Sequence, residues 1–135
     1  MQLLPITAIT AAVFAILMVA LSAQTSLGRA RVKSTFGDGG DETLRRRIRA
    51  HGNFAEYAPM ALILLGLAEG LGAARGTVLG LAIAFCFARL VHAAGMLYSS
   101  RATLRAVAMF VQHAAFVYAA VLLLQRILSA GHAIE

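Results

Sequence analysis

The sequence predicts an all-α integral membrane protein whose helices form a four-helix up-and-down bundle. The chain of 135 residues is 60% hydrophobic and only 13% charged, whereas a typical soluble domain carries about a quarter charged residues. Its mean hydropathy is +0.78. Four segments contain no Asp, Glu, Lys or Arg, and each approaches the roughly 20 residues that cross a bilayer. They cover residues 1–28, 57–68, 76–88 and 106–125.

Capping residues and glycines predict where each helix begins and ends. Pro5 suits the first turn of the first helix, and the uncharged start predicts a retained span rather than a cleaved signal peptide. The stretch 29–41 contains three glycines and predicts a loop, after which Asp41 is a candidate N-cap. The connection 69–76 is short and rich in glycine, as expected between antiparallel helices. We expect one domain over residues 1–135, with helices over about residues 5–27, 42–68, 77–99 and 104–128.

The basic residues predict how the chain is oriented in the membrane. The net charge is +6, and seven of the twelve Lys and Arg residues lie between Arg29 and Arg49. Arg101 and Arg105 lie in the third connection, whereas the second connection holds only Arg75. The positive-inside rule therefore places loops 1 and 3 in the cytoplasm and both termini in the periplasm. The compact loops favour a bacterial inner membrane, and the distribution of charge by side argues against a nucleic-acid-binding surface.

A polar stripe enters the second hydrophobic segment. Arg49, Asn53 and Glu56 are spaced i, i+4 and i+7, so they share one face of a helix. A carboxylate at the edge of a bilayer needs a partner or water, which makes it a candidate for a functional site. In an antiparallel bundle, the end of the third helix and the start of the fourth reach the same depth. They supply His92, Arg101 and Arg105.

This cluster sets several guanidinium groups around one carboxylate and one amide. It matches a ligand with two carboxylates and an amine, because arginine binds carboxylates in bidentate geometry. A structural interpretation also stays open. Arg45 and Arg47 are typical of an anchor beside anionic lipid. Glu56 suits an ion pair with Arg49, and Arg89 suits a structural ion pair for which Glu56 is the candidate partner.

The sequence predicts neither a metal centre nor a disulfide. The histidines at positions 51, 92 and 113 lack the spacing of metal ligands, and no acidic or thiolate cluster accompanies them. Cys86 is the single cysteine, so no intrachain disulfide can form.

Two patches of sequence resemble one known superfamily. The first patch is R-x-H-x-N-x-x-E-Y-x-P, at Arg49, His51, Asn53, Glu56, Tyr57 and Pro59. The second patch is Ala88–His92, which is followed by two arginines. Both resemble the membrane-associated proteins in eicosanoid and glutathione metabolism, the MAPEG superfamily. Within it, the chain resembles a bacterial member of the microsomal glutathione S-transferase type.

The resemblance implies a homotrimer of four-helix subunits, with glutathione bound between adjacent subunits near the cytoplasmic face. Arg105 would lie beside the sulfur and favour the thiolate, and it is the candidate catalytic residue. Arg29, or Arg31 in its place, would reach in from a neighbouring subunit. The remaining contacts that the resemblance implies for glutathione are Arg49, His51, Asn53, Glu56, Tyr57, His92 and Arg101.

The role expected for Arg105 has a physical basis in thiol chemistry. A thiol with a pKa of about 8.5 is only a few per cent thiolate at neutral pH, and an adjacent cation favours the thiolate, which is the nucleophilic form. The sequence departs from the family one turn after His92. Where eicosanoid-forming and microsomal transferase members have a tyrosine, this chain has Met96, which cannot donate a hydrogen bond to a thiolate.

We therefore expect a membrane-embedded glutathione-dependent transferase or peroxidase that acts on lipophilic electrophiles or lipid hydroperoxides. One alternative is a glutathione-binding protein without turnover, for which Met96 is the supporting feature. A second is a small multidrug-type transporter, suggested by the size of the chain, its four segments and Glu56. The expected partners are glutathione, a lipophilic small molecule, membrane lipid and further copies of the chain, without nucleic acid.

Overall fold

The structure is a computed structural model that describes residues 3–99 and 101–131. Over these ranges the chain forms four α-helices and no strand, which confirms the predicted all-α class. The helices are α1 (Pro5–Val32), α2 (Glu42–Gly70), α3 (Arg75–Tyr98) and α4 (Ala102–Gly131).

α1 continues to Val32, past the predicted end at about residue 27. It ends at Lys33, which adopts a left-handed φ of 55° and donates its N–H to the Ala30 carbonyl at 3.3 Å. The N–H of Ser34 donates to the Arg29 carbonyl at 3.1 Å. These reversed hydrogen bonds satisfy carbonyls of the final turn. Arg29 and Arg31, which fall within the stretch predicted as a loop, lie in this turn instead, where positive charge interacts favourably with the helix dipole.

α2 begins at a side-chain cap, as the sequence predicts. The Asp41 carboxylate accepts a hydrogen bond from the Leu44 N–H at 2.6 Å.

Just before this cap, the Asp38 carboxylate accepts hydrogen bonds from the Gly40 N–H at 3.0 Å and from the Arg45 guanidinium at 2.7 Å. These hydrogen bonds hold the pKa of Asp38 below its usual value. The ionised carboxylate is therefore favoured in the folded state, and its contribution is lost as the pH falls through that lowered pKa.

At the opposite end of the bundle, two charged side chains satisfy the ends of other helices. α1 has no side-chain cap of its own, and the Glu69 carboxylate accepts from the N–H groups of Ile6 and Thr7 at 3.0 and 2.8 Å. The Arg126 guanidinium donates to the carbonyls of Leu71 and Gly72 at 3.0 and 2.8 Å. Open backbone groups are costly near a membrane interior. The sequence placed Glu69 in a connection, but Glu69 lies in the last turn of α2. From there its carboxylate anchors the start of α1.

α2 and α3 form the centre of the bundle. Each of them contacts all three other helices, whereas α1 and α4 do not touch over the described ranges. Edge-to-face aromatic pairs join α1 to α2 and α3 to α4. Their ring centroids are 5.4 Å apart for Phe14 and Phe54, and 5.6 Å apart for Phe85 and Phe116. Alanines fill much of the remaining core, and their small side chains allow the helices to approach closely.

Three of the helices are long and apolar enough to cross a membrane. They are Pro5–Val32, Arg75–Tyr98 and the part of α4 over Ala102–Ser129. α2 does not reach that hydropathy, because Asn53 and Glu56 lie near its middle and its first two turns are strongly charged. Within the apolar stretch of each of these helices, only 17% of α1 and 22% of α4 is buried, against 50% of α3. α1 and α4 thus present broad apolar faces outward, and the fourth span, in α2, stays a prediction.

Removal of the Glu69 carboxylate should release the start of α1. We expect Glu69→Ala to lower the free energy of unfolding by about 1–2 kcal/mol, the usual cost of losing a helix cap. Thermal or denaturant unfolding in detergent micelles measures this change. Glu42→Ala is the matched control, because the Glu42 carboxylate pairs with Arg46 on an exposed surface and such pairs contribute less than about 1 kcal/mol. Equal losses in both variants would contradict the capping role.

Candidate functional site

A cleft of about 240 Å³ opens at the basic end of the bundle, where α2 begins, α3 ends and α4 begins. The antiparallel arrangement predicts this meeting of three helix ends. Four of the six lining side chains are arginines. The lining residues are Glu42, Arg45, Arg46, Arg49, Met96 and Arg105.

Two of these arginines are already paired, and two are not. Arg46 pairs with Glu42 at 2.9 Å and also donates to the Ser99 carbonyl at 3.2 Å. Arg45 pairs with Asp38 at 2.7 Å. In the part of the chain that the structure describes, Arg49 and Arg105 form no ion pair. The cleft therefore presents two guanidinium groups that have no carboxylate partner among the described residues, and such groups suit anionic ligand groups.

A glycine brings α3 and α4 together beside the cleft. A Cβ atom at Gly95 would lie 3.1 Å from Cγ of Arg105 and 3.5 Å from Cβ of Leu104. The close approach sets the Arg105 side chain against α3, where its Nη1 donates to Sδ of Met96 at 3.4 Å. Arg105 and Met96, which the sequence singles out separately, are thus direct neighbours.

A second polar cluster lies deeper in the bundle, around Arg89. This side chain is only 1% exposed, and its Nη1 donates to Oδ1 of Asn53 at 2.8 Å, with a longer contact to the Asn53 carbonyl at 3.5 Å. Its Nη2 lies 3.6 Å from Sδ of Met109. Its Cζ lies 4.8 Å from the centroid of the Tyr57 ring, a cation–π contact. The cluster therefore joins α2, α3 and α4.

The expected ion pair between Arg89 and Glu56 is wrong for the described residues. Asn53 and Tyr57 are one turn apart and face α3, whereas Glu56 lies about 100° around the helix from Tyr57 and is exposed. An ion pair of Glu56 with Arg49 is also absent from the described part of the chain. The Glu56 carboxylate instead points away from its own bundle.

The other predicted site residues lie around these two clusters. His92 is buried, and the charges of Arg89, Arg105 and Arg49 act on it. His51 is half-buried on α2. Arg29 donates to the Thr35 carbonyl at 2.9 Å and so holds the first loop. Arg31 is exposed in the last turn of α1, and Arg101 is exposed before α4.

A single chain thus brings together Arg49 and Arg105 in the cleft, and Asn53 and Tyr57 around Arg89. It does not bring Arg29, Glu56 or Arg101 into the cleft.

Sequence reasoning missed three contributors to the cleft. Glu42 was not singled out, although positions 42, 45, 46 and 49 recur on one helix face, a spacing that points to it. Arg45 was interpreted as a lipid anchor, but it lines the cleft. No local sequence pattern indicates the role of Gly95, because that role depends on the approach of another helix, α4.

Comparison with known proteins identifies the family. A model of the MAPEG family matches residues 7–125. The chain belongs to the MAPEG family. Two curated relatives are named inner membrane protein YecN, from Escherichia coli strain K12 and from Escherichia coli O6:H1 strain CFT073. Each is 33% identical over 87 residues, which are 64% of this chain and 66% of the relative. The match thus spans just under two thirds of the relatives' length.

No solved structure gives a significant match to this MAPEG protein. Its family and its apolar helices establish it as an integral membrane protein, with relatives named for the bacterial inner membrane. The resemblance inferred from the two sequence patches is therefore confirmed. The MAPEG family includes glutathione-related transferases and peroxidases.

A methyl group at Gly95 should push Arg105 away from α3. We expect Gly95→Ala to lower the free energy of unfolding by about 1 kcal/mol, because a Cβ there overpacks the helix contact. Gly80→Ala is the matched control on the same helix, since a Cβ there meets nothing within 4 Å. It should instead stabilise the helix by about 0.5–1 kcal/mol. Unfolding in micelles measures both, and a stabilising Gly95→Ala would contradict the close contact.

Proposed function

We propose that this MAPEG protein is a membrane-embedded, glutathione-dependent transferase or peroxidase that acts on lipophilic electrophiles or lipid hydroperoxides. The observation that carries the proposal is the cleft at the basic end, in which Arg49 and Arg105 have no carboxylate partner among the described residues. Membership of the MAPEG family also favours glutathione as the ligand.

The residues present fit the groups of glutathione. The tripeptide carries two carboxylates, one ammonium group and one thiol. Arg49 and its neighbours in the cleft supply guanidinium donors for carboxylates, and Glu56 supplies a carboxylate for an ammonium group. Glu56 is exposed on its own bundle, so a second copy of the chain has access to it. In line with what the family resemblance implies, we propose a homotrimer with glutathione between subunits, to which Arg29 of a neighbouring copy would contribute.

Arg105 is the proposed activating residue. Bound glutathione supplies the nucleophilic sulfur, and a fixed guanidinium beside it favours the thiolate over the thiol. Arginine suits this role because it keeps its own charge at all physiological pH values. Gly95 leaves room for the Arg105 side chain against the end of α3, where its Nη1 donates to Sδ of Met96. This contact positions the charge before the ligand arrives.

The surroundings of Arg105 favour a lipophilic second substrate. On α4, Leu104 directly precedes Arg105, and Val107 lies on the same helix face as Leu104. These two apolar side chains are 44% and 47% exposed. Both would face lipid or a neighbouring subunit. A substrate dissolved in the bilayer would thus approach the arginine along an apolar surface, without crossing the aqueous phase.

The charge distribution supports a cytoplasmic cleft. Seven basic residues between Arg29 and Arg49, together with Arg101 and Arg105, lie at the end of the bundle that bears the cleft. The positive-inside rule assigns this end to the cytoplasm, which holds glutathione in the cell. Loops 1 and 3 are therefore proposed to be cytoplasmic, and both termini periplasmic.

Loss of a charged contact should weaken glutathione binding without loss of the fold. We expect Arg49→Ala and Glu56→Gln each to weaken binding at least tenfold, because charge-assisted hydrogen bonds contribute about 1.5–3 kcal/mol each. Isothermal titration calorimetry on detergent-solubilised protein measures the affinity. Arg75→Ala is the control, since Arg75 begins α3 at the far end of the bundle. Normal binding by both site variants would rule out the assignment.

A second candidate function is glutathione binding without turnover. The observation that favours it is Met96, whose sulfur accepts a hydrogen bond from Arg105 inside the cleft. A thioether stabilises no developing negative charge, and it engages the guanidinium that the thiolate would need. Family membership speaks for either glutathione hypothesis rather than for a transporter.

Met96→Tyr separates the two candidates. If the pocket binds without turnover, a tyrosine hydroxyl should raise the conjugation rate for a generic electrophile by about tenfold or more, since one placed donor has effects of that size. Single-turnover assays with saturating glutathione measure the rate. Met96→Phe is the control, because it adds the ring without the hydroxyl. Turnover of a generic electrophile by the wild-type protein would by itself contradict the binding-only hypothesis.

A further inference from the structure

The guanidinium of Arg89 lies behind two residues of the motif that resembles a glutathione site. Its Nη1 is 2.8 Å from Oδ1 of Asn53, and its Cζ is 4.8 Å from the ring centroid of Tyr57. Neither Arg89 nor its contacts lie in the cleft lining. Arg89 therefore touches the motif from inside the bundle, on the side away from any ligand.

The chemistry of arginine fixes the orientation of the Asn53 amide. A guanidinium carries five N–H donors and no acceptor, whereas a carboxamide has an oxygen acceptor at one end and an NH₂ donor at the other. Only the oxygen can face Arg89. The NH₂ group of Asn53 must then point away from Arg89. Asn53 is half-buried and lies one turn from Arg49, which lines the cleft, so its donors are available to a ligand.

A structural role alone is a poor explanation for Arg89. The side chain is 1% exposed, and no carboxylate pairs with it among the described residues. Taking an uncompensated charge out of water is costly, so a residue of this kind inside a membrane bundle is a candidate for function. A neutral donor or an apolar side chain would hold α2 against α3 at a lower cost.

We infer that Arg89 is a positioning residue that orients the Asn53 carboxamide, with its NH₂ group outward, for an oxygen acceptor of the ligand. The inference rests on the proposed function and deepens it. Asn53 takes a carboxylate or carbonyl oxygen of glutathione and rejects an ammonium group. Without Arg89, the amide rotates freely about its terminal torsion and presents either end. Arg89 thereby sets specificity without contact with the ligand.

A double-mutant cycle tests this coupling. The variants are Arg89→Met, Asn53→Ala and the combination of the two, and calorimetry in detergent measures the affinity for glutathione. Each single variant should weaken binding about tenfold. The combination should be no weaker than Asn53→Ala alone, because Arg89 acts only through Asn53. Arg89→Lys should recover part of the loss, since a lysine retains donors for the same oxygen.

Asn53→Asp keeps the test decisive if Arg89→Met fails to fold. Aspartate has the same shape and accepts from Arg89, but it has no donor for a ligand. We expect a thermal midpoint equal to or above that of the wild-type protein, together with at least a tenfold loss of glutathione affinity. Unchanged affinity in Asn53→Asp would overturn the inference.

The two proposals fail in different ways. If the wild-type protein binds no glutathione, the proposed function falls and the positioning role falls with it. If the wild-type protein binds glutathione and the losses in the cycle multiply, Arg89 acts independently of Asn53. In that case only the positioning role is overturned.

Discussion

The burial of one guanidinium, that of Arg89, determines how the polar groups of this bundle are arranged. A cation in the interior of a membrane protein must be solvated by the protein itself. Here an amide and an aromatic ring from α2, together with a thioether from α4, surround the Arg89 side chain. These contacts hold α2, α3 and α4 in one register. The central pair of helices is therefore tied to α4 by polar contacts as well as by apolar packing.

The same three helices form the arginine cleft nearer the basic end. Gly95 lets α4 approach α3 closely enough for Arg105 to reach Met96. Pairing of Arg45 with Asp38 and of Arg46 with Glu42 neutralises part of the positive charge. The remaining cations, Arg49 and Arg105, have no carboxylate partner among the described residues, and we propose that they bind anionic groups of a ligand. Such an arrangement suits an enzyme that joins a water-soluble thiol to a substrate dissolved in lipid.

The sequence predicted features that depend on local pattern, and it failed where distant segments meet. Hydropathy predicted the helices, and capping chemistry predicted Asp41 as the start of α2. Helical spacing placed Asn53 and Glu56 near one face, but it did not tell which of them turns towards α3. The predicted partner of Arg89, Glu56, was therefore wrong, and the observed partner is Asn53. The contact between Glu69 and the start of α1 joins residues more than 60 positions apart, and no local pattern specifies it.

We propose that Arg105 holds bound glutathione as a thiolate, and a pH titration followed by the ultraviolet absorbance of the thiolate tests this role. For the wild-type protein saturated with glutathione, we expect the thiolate band at neutral pH, below the pKa of about 8.5 of a free thiol. In Arg105→Ala the titration should return towards that value. Bound glutathione that remains a thiol at neutral pH, or an identical titration in both proteins, would contradict the account.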